Sequence, residues 1–403
     1  MEGDPAPEGE ALLVLGAGPA QLGLLAAARE RGLHVIAVDR DPRAPGFAYA
    51  DRRALLSSED EPAIDRLARS ERIAGVVAPG TDWPVGIAAR IADHLRIPHP
   101  LSPASAALAV SKLRQRERFD QAGVPQPAWR AIGRGDPIDR VGVPAVVKAP
   151  DRQGQRGLSL VTNRDELVQA VSRAHEASRA GVALVEELVE GPEVTVNAIS
   201  VDGVFYPLTV TDRETAEPPA FGVALEHVWP SERADDSVVE TARAAAEALG
   251  IENGPTYTQL RLGPDGPRVV ELAARLGGGH DAELCRAALG VDLNALAVAA
   301  ALGERLEVPR PEPQAGGACT RFLVPPQGRL AATHGVEEAR AAEGVVDVRV
   351  YRAPGHEFGP FRTGTDRAGA VIAVGASREE ALARARRATD LIRFELADAE
   401  ALV

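Results

Sequence analysis

Three short apolar runs near the start of the chain constrain the fold more than any other feature: ALLVLG (11–16), HVIAVD (34–39) and GVVAPG (75–80). Each is too short for a buried helix and shows no alternation, so each reads as a strand covered on both faces. The segments between them are amphipathic, with one helix running to Gly32 and another near 61–70. Strand, helix, strand, helix, strand is the pattern of a parallel sheet and places the first lobe in the α/β class. Ser102-Pro103 then reads as an N-cap followed by proline at the first helical position. It opens a helix that carries Lys112 and ends near Ala122-Gly123.

From about residue 124 the rhythm changes to short β-branched strands. AVVKAP (145–150) and LSLVT (158–162) flank the glycine-bearing turn DRQGQRG, which implies a two-stranded flap. Asn163 with Glu166 three residues on is a capping pair, and Leu167, Ala170, Val171 and Ala174 give the next helix one apolar face. VALVEELV (182–189) is a further strand. EVTVNAISV, Asp202-Gly203 and VFYPLTV form an antiparallel hairpin by alternation and turn type. After an Ala-rich helix at about 235–249, a second hairpin pairs TYTQLRL with RVVELAA around Pro264-Asp265-Gly266-Pro267. The proline-rich run VPRPEPQAGG (308–317) reads as a linker to a small α+β lobe, whose last helix opens with the capping box Ser377-x-x-Glu380.

Composition removes several classes of function. The formal charge of −13, with Lys and Arg scattered, offers no footprint for a nucleic-acid backbone. Cys285 and Cys319 stand far apart without metal-ligand spacing, so neither a disulfide framework nor structural zinc is expected, and a reducing cytoplasm fits best. The start, MEGDPAPEGE, has no basic region followed by an apolar one and reads as frayed. Nowhere do about 18 apolar residues run together, so no membrane is expected. A two-fold dimer is the default for a soluble enzyme of this size, although no residue argues for it.

The chemistry-bearing residues fall in four places. GAGPAQLG (16–23) with Asp39 is a partial dinucleotide fingerprint, but position 21 is Gln where the pattern wants Gly. No P-loop occurs. Lys148, after two valines, stands immediately before Gln153-Gly154-Gln155-Arg156-Gly157, whose backbone N–H groups could close over phosphate oxygens. In EELVEGPE (186–193), Glu186 and the Leu188-Val189 backbone could meet a purine edge, and Glu193 ribose hydroxyls; alone, such acids are most often a solvated rim. In the second hairpin Gln259 and Glu271 fall opposite each other or nearly so and share a face. Glu271 with the Gln259 amide oxygen suits Mg²⁺ that also holds substrate phosphates, while a half-buried ion pair between Glu271 and Arg275 is the simpler alternative.

The order of these parts resembles the ATP-grasp superfamily over nearly the whole chain: Lys112, VVK148, the glycine turn, EELVEGPE, VVELAAR and GGGHD. It is most similar to the branch containing bacterial L-amino-acid ligases. The resemblance implies an ATP-grasp fold with a Rossmann-like domain (1–104) that does not bind NAD, a flap subdomain (105–188), a catalytic subdomain (189–310) and a closing lobe (311–403). It further implies that Lys112, Lys148, Gln155, Arg156 and Gly157 meet the ATP phosphates, Glu186, Leu188 and Val189 the adenine, and Glu193 the ribose. Glu271 and Gln259 would hold Mg²⁺ or Mn²⁺, and Arg275 with Lys148 would act on the transferred phosphoryl group. Gly277, Gly278 and Gly279, with His280, Asp281, His227 and Arg321, would receive a carboxylic acid and an amine. Two positions depart from the family: Gln259 replaces an acid and Ala273 an Asn, which leaves the number of metals open. The expected activity is ATP-dependent activation of a small acid, such as an amino acid, as an acyl phosphate, followed by amide formation. A bicarbonate-activating ligase of purine type, a non-catalytic ATP-binding regulator and an NAD dehydrogenase are the alternatives.

Overall fold

The computed structural model describes residues 10–138 and 141–397. Residues 1–9, expected from the sequence to be frayed, lie outside them. In the first lobe β1 (Ala11–Leu15), α1 (Leu22–Glu30), β2 (His34–Val38), β3 (Arg52–Ala54), α2 (Glu61–Glu71), β4 (Gly75–Val77) and α3 (Trp83–Leu95) build a parallel sheet in the order β3-β2-β1-β4. Leu12 to Leu15 are fully buried, which is why β1 shows no polar alternation. The third strand from the sequence, 75–80, is β4; β3 is an addition, three residues long and set beside β2.

The expected helix from 103 to 122 is two helices, α4 (Pro103–Ala109) and α5 (Lys112–Ala122). Ser102 caps the first by accepting from Ser105 N–H at 3.1 Å, and Ser111 takes an extended conformation and re-caps the chain. Lys112 therefore sits at the first position of a new helix, its own N–H donating to Pro150 O at 2.8 Å. Gly123, in the left-handed region at φ 69°, ends α5.

The flap subdomain contains β5 (Trp129–Ile132), β6 (Ala145–Lys148), β7 (Ser159–Val161), α6 (Arg164–Ala177) and β8 (Ala183–Glu187), its antiparallel sheet ordered β5-β8-β6-β7. Asn163 accepts from Glu166 N–H at 3.0 Å, and Leu167, Ala170, Val171 and Ala174 of α6 bury against Val147, Val161 and Val185. The turn between β6 and β7 is tied to the end of α6, Arg152 Nε donating to Ala177 O at 2.5 Å and Asp151 accepting from Ala180 N–H at 2.9 Å.

The rest of the chain is organised by one eight-stranded sheet. Its elements are β9 (Glu193–Val201), β10 (Val204–Thr215), β11 (Ala224–Trp229), α7 (Asp236–Ala248), β12 (Gly254–Gly263), β13 (Gly266–Ala273), α8 (Asp281–Leu289), α9 (Leu293–Ala301) and β14 (Gly317–Leu323), then β15 (Gly328–His334), α10 (Val336–Arg340), β16 (Val345–Val350), β17 (Glu357–Phe358), β18 (Gly369–Gly375), α11 (Arg378–Leu391) and β19 (Arg393–Leu396). The order is β13-β12-β9-β10-β11-β14-β18-β16, every neighbour antiparallel, with β17-β15-β19 a separate small sheet. The strands after the proline-rich run thus continue the catalytic sheet. The run has no helix or strand before Gly317, where β14 begins, and is tied down at Gln314, whose N–H donates to Ala288 O at 2.8 Å. Asp202 and Gly203, both at positive φ, make the tight turn between β9 and β10. Among the described residues no helix is long and apolar enough to cross a membrane.

The connection from β8 to β9 is pressed onto β12. Gly191 has φ 141°, and a Cβ there would lie 1.9 Å from Leu262 O, while Leu262 N–H donates to Pro192 O at 2.9 Å. Gly191→Ala is therefore expected to destabilise the protein by about 2 kcal/mol or more, read as a lowered midpoint in urea at unchanged slope.

Candidate active site

Helix α5 sets up the site through one of its faces. Gln115, Arg116 and Phe119 are buried, and Lys112 lies one turn before Arg116 on the same side. The Gln115 amide pairs with the edge of β13, donating to Leu272 O at 2.7 Å and accepting from Leu272 N–H at 3.1 Å. Arg116, only 1 % exposed, donates to Val269 O at 2.9 Å and Val270 O at 2.5 Å. Its Nε donates to Glu186 Oε1 at 2.8 Å, and the other oxygen of Glu186 takes Lys148 Nζ at 2.6 Å. Five backbone and carboxylate groups from two elements, β13 and β8, are satisfied by two side chains.

Between this framework and the flap lies a cleft of about 1070 Å³. Lys112 Nζ is 2.7 Å from Glu271 Oε1 and donates to Arg152 O at 2.8 Å. Gln259 and Glu271 are direct cross-strand partners, brought opposite by a register shift between Gln259 and Leu260. Arg275 Nε donates to Asp82 Oδ1 at 2.7 Å, which ties the first lobe to the cleft. The flap bridges both sides: Gln153 Oε1 accepts from Asp82 N–H, and Gln155 Oε1 accepts from Gly364 N–H at 3.2 Å. Glu193 binds Arg213 at 2.5 Å, with Arg261 3.8 Å away.

Burial and charge shape the protonation of these groups. Burial alone would raise the Glu186 carboxyl, but Arg116 and Lys148 together hold it at about 2, below the ordinary 4.5. Burial pushes the Lys148 ammonium down, since its one carboxylate partner is shared with Arg116. For Lys112 burial also works downward, but Glu271 and Asp82 outweigh it and raise the value.

A second polar cluster lies behind the cleft wall. His227 and Asp281, each 1 % exposed, join through Nδ1 and Oδ1 at 2.7 Å; the His227 ring stacks on Tyr257, which lines the cleft. Its Nε2 is buried without a partner. Asp281 also accepts from Gly279 N–H at 3.1 Å, and His227 and these bonds keep its carboxyl low despite burial. His280, at φ 59°, starts α8; Arg349 donates to its Nδ1 at 2.9 Å and Tyr351 OH faces its Nε2. Burial first, then Arg349 and Arg367, push its imidazolium down to about 3, so the ring is neutral at ordinary pH.

Set against the sequence, the cleft brings together Lys112, Lys148, Gln155, Arg156, Glu186, Leu188, Val189, Glu193, Gln259, Glu271 and Arg275. Four readings change. Each Glu186 oxygen takes a buried cation, Arg116 on one and Lys148 on the other, so the side chain serves first to anchor Lys148. Gly157 does not line the cleft; its positive φ and the close approach of Ala149 and Ala177 make it a turn residue. A Cβ on Gly277 would strike Asp281 and Tyr257, and one on Gly279 would strike His227, so the glycines admit the protein's own side chains; Gly278 alone is bounded only by Gly80 O at 3.4 Å and Ala20 Cβ at 3.8 Å. Arg321 points away from the site: strand alternation puts it with Glu226 and Thr389 against α11, while its neighbour Phe322 stacks near His227 and His280. Asp39, in the partial fingerprint, accepts from Ala17 N–H at 3.0 Å and Asp41 N–H at 2.9 Å, a loop-bracing role. Sequence reading missed Asp82, Gln115, Arg116, Arg213 and Tyr257. Arg116 alone had a local signal, its i+4 spacing from Lys112.

Removing the Glu186 charge leaves Arg116 and Lys148 buried without a counter-ion, so Glu186→Gln is expected to lower stability by about 3–5 kcal/mol at neutral pH. Because the folded-state value lies below the unfolded one, Glu186 contributes stability that is complete above about pH 4.5 and disappears as pH falls toward 2. Urea unfolding across that window should show a shallower acid loss in the variant than in the parent.

The comparisons with known proteins agree with this geometry. The family described as L-amino acid ligase C-terminal domain 2 matches residues 321–397, and the carbamoyl-phosphate synthase L chain ATP binding domain matches residues 135–308. The uncharacterized protein y4rH of Sinorhizobium fredii is 28% identical, over 92% of this chain and 79% of its own. A phosphoribosylamine–glycine ligase of Leifsonia xyli is 28% identical over 95% of this chain and 97% of its own. The crystal structure of L-amino acid ligase from Bacillus licheniformis superposes with a TM-score of 0.84 at 22% identity, over 97% of this chain and 100% of that one. Cleft, flap and sheet, taken with the two matched families, make this chain a member of the ATP-grasp ligase superfamily, most like its L-amino-acid ligase branch.

Proposed function

We propose that the protein phosphorylates a small carboxylic acid, such as an amino acid, with ATP and joins the resulting acyl phosphate to an amine. The observation that carries this reading is the convergence of Lys112, Lys148 and Arg275 on one cleft with Glu271 and Gln259, under a flap tethered to both neighbouring lobes. A carboxylate oxygen attacks the γ-phosphorus, the bond to the β-γ bridging oxygen breaks, and ADP leaves. Lys148 and Arg275 are fixed cations for the charge on the transferring group, Lys148 held by Glu186 and Arg275 by Asp82. The flap excludes water from an intermediate that hydrolyses readily.

The protein donors for a divalent metal are lean. Glu271 supplies one carboxylate and Gln259 an amide oxygen, its Nε2 donating to Tyr257 OH at 3.3 Å; no group of three or more His, Cys, Asp or Glu is placed to hold a metal among the described residues. This set fits Mg²⁺ or Mn²⁺ that takes its remaining ligands from phosphates and water. Such an ion, when bound, supplies positive charge to the phosphate oxygens. Lys112 and the metal compete for the same Glu271 carboxylate.

In the second half of the reaction the amine nitrogen attacks the acyl carbon, the bond from that carbon to the phosphate oxygen breaks, and the nitrogen gives up a proton. With Nδ1–H donating to Asp281, His227 Nε2 presents a lone pair beside Tyr257 and is the proposed acceptor. His280, whose two nitrogens face Arg349 and Tyr351, holds the loop in place.

With ATP, Mg²⁺ and hydroxylamine as trapping amine, the protein is expected to form a hydroxamate and ADP with the right acid from a panel of amino acids. Glu271→Ala should reduce that rate by about 1000-fold; release of AMP in place of ADP would overturn the reading. Gln259→Glu adds the missing acid and is expected to tighten Mn²⁺ binding by about tenfold in the presence of ADP, followed by the loss of free-ion paramagnetic signal.

A further inference from the structure

The cluster behind Tyr257 contains a cation that the chemistry above does not use. Arg367, in the loop before β18, has its guanidinium carbon 3.8 Å from the centroid of the Phe322 ring. Its Nε donates to Gly364 O at 2.8 Å, and its Nη1 is buried with no partner. Arg367 and Arg349 are half-buried, Arg116 and Arg213 buried, and the three other than Arg367 each have a carboxylate: Glu186 for Arg116, Glu193 for Arg213, and Glu283 with Asp347 for Arg349. No described carboxylate lies within ion-pair distance of Arg367. Burial pushes its guanidinium down, and the nearest acidic hydroxyls, Tyr257 and Tyr351, are themselves raised by burial and stay neutral. Arg213, near enough for its charge to be felt at Arg367, also has an Nε that is buried and unpartnered.

A charged N–H left buried without a partner is costly, and the two such donors here, Arg367 Nη1 and Arg213 Nε, mark a place for an anion from outside. Arg213 lines the same cleft as Lys112, Lys148 and Arg275. Arg367 presents a planar positive charge that no described carboxylate touches, set on the Phe322 ring, which matches a singly charged planar anion. We propose that Arg367, aided by the free Nε of Arg213, binds the carboxylate of a substrate. This rests on the ligase reading for the substrate's role. Gly364 connects the residue to the flap, accepting from Arg367 through its carbonyl and donating through its N–H to Gln155. Occupancy of Arg367 is thereby coupled to flap closure over the phosphates. The carboxylate comes either from the acid being activated or from an amine that is itself an amino acid.

The test compares the full-length protein with Arg367→Gln, and with Arg367→Lys in case the first variant fails to fold. In the hydroxylamine assay, a KM for the acid raised about 100-fold at unchanged KM for ATP assigns the site to the acid. An unchanged hydroxamate reaction with a comparable rise in KM for an amino-acid amine, but not for its carboxamide, assigns it to the amine. Unchanged KM for both substrates overturns the proposal. A readout independent of turnover is tryptic cleavage at Arg152 and Arg156 in the flap, with ADP, Mg²⁺ and the same amino acids. Protection in the parent that is lost in Arg367→Gln supports the proposal, even if the parent forms no hydroxamate and the ligase reading falls. Equal protection in both, or none in either, overturns it.

Discussion

The structure depends on one buried carboxylate held between two cations. Glu186, 3 % exposed, receives Arg116 from α5 on one oxygen and Lys148 from β6 on the other, and so joins the helix leaving the first lobe to the strand that carries the flap. Two positive charges hold the acid low against its burial, while burial first and then the charge of Arg116 push Lys148 down. The arrangement leaves net positive charge at the head of the cleft, fixed before any nucleotide arrives. That is the form of electrostatic preorganisation that phosphoryl transfer uses, because no solvent or side chain has to reorient when charge moves.

The site is layered. In front are the cleft cations, Arg213 among them, and the Gln259–Glu271 pair; behind Tyr257 are His227 and Asp281, with Arg367 on the Phe322 ring that also meets His227. Strand alternation produces this division. On β11 His227 faces the cluster and Glu226 the opposite side, and on β14 Phe322 and Arg321 divide in the same way. Because β14, β18 and β16 continue the catalytic sheet, the closing lobe supplies residues to the site through its strands as well as its loops.

What the sequence made legible was local. The Asp202-Gly203 turn, the Asn163 cap, the apolar face of α6 and the opposition of Gln259 to Glu271 each follow from period and turn chemistry within a few residues. The break at Val110-Ser111 escaped because a second serine cap hides inside a helical composition. Asp82 escaped for a different reason: nothing near it in the chain distinguishes it from any other helix-flanking acid, and its partner Arg275 arrives only when two lobes pack. Arg213 is nearer the boundary of the readable. It opposes Glu193 in the hairpin, but a register shift between Pro207 and Thr209 moves the pairing by one residue from what the turn alone gives. Arg321 was the converse error, a charged residue in a promising neighbourhood whose parity sends it to the wrong face.

Strand β13 lies at the end of the eight-stranded sheet, where unpaired backbone would normally invite another chain. Helix α5 occupies that edge instead, with Gln115 imitating a strand residue at Leu272 and Arg116 taking the carbonyls of Val269 and Val270. Self-association by sheet extension is closed off on that side. A mechanical property comes with it. Lys112 and Glu271 are carried on two elements sewn into a single body, which fixes the spacing of the lysine and the acid.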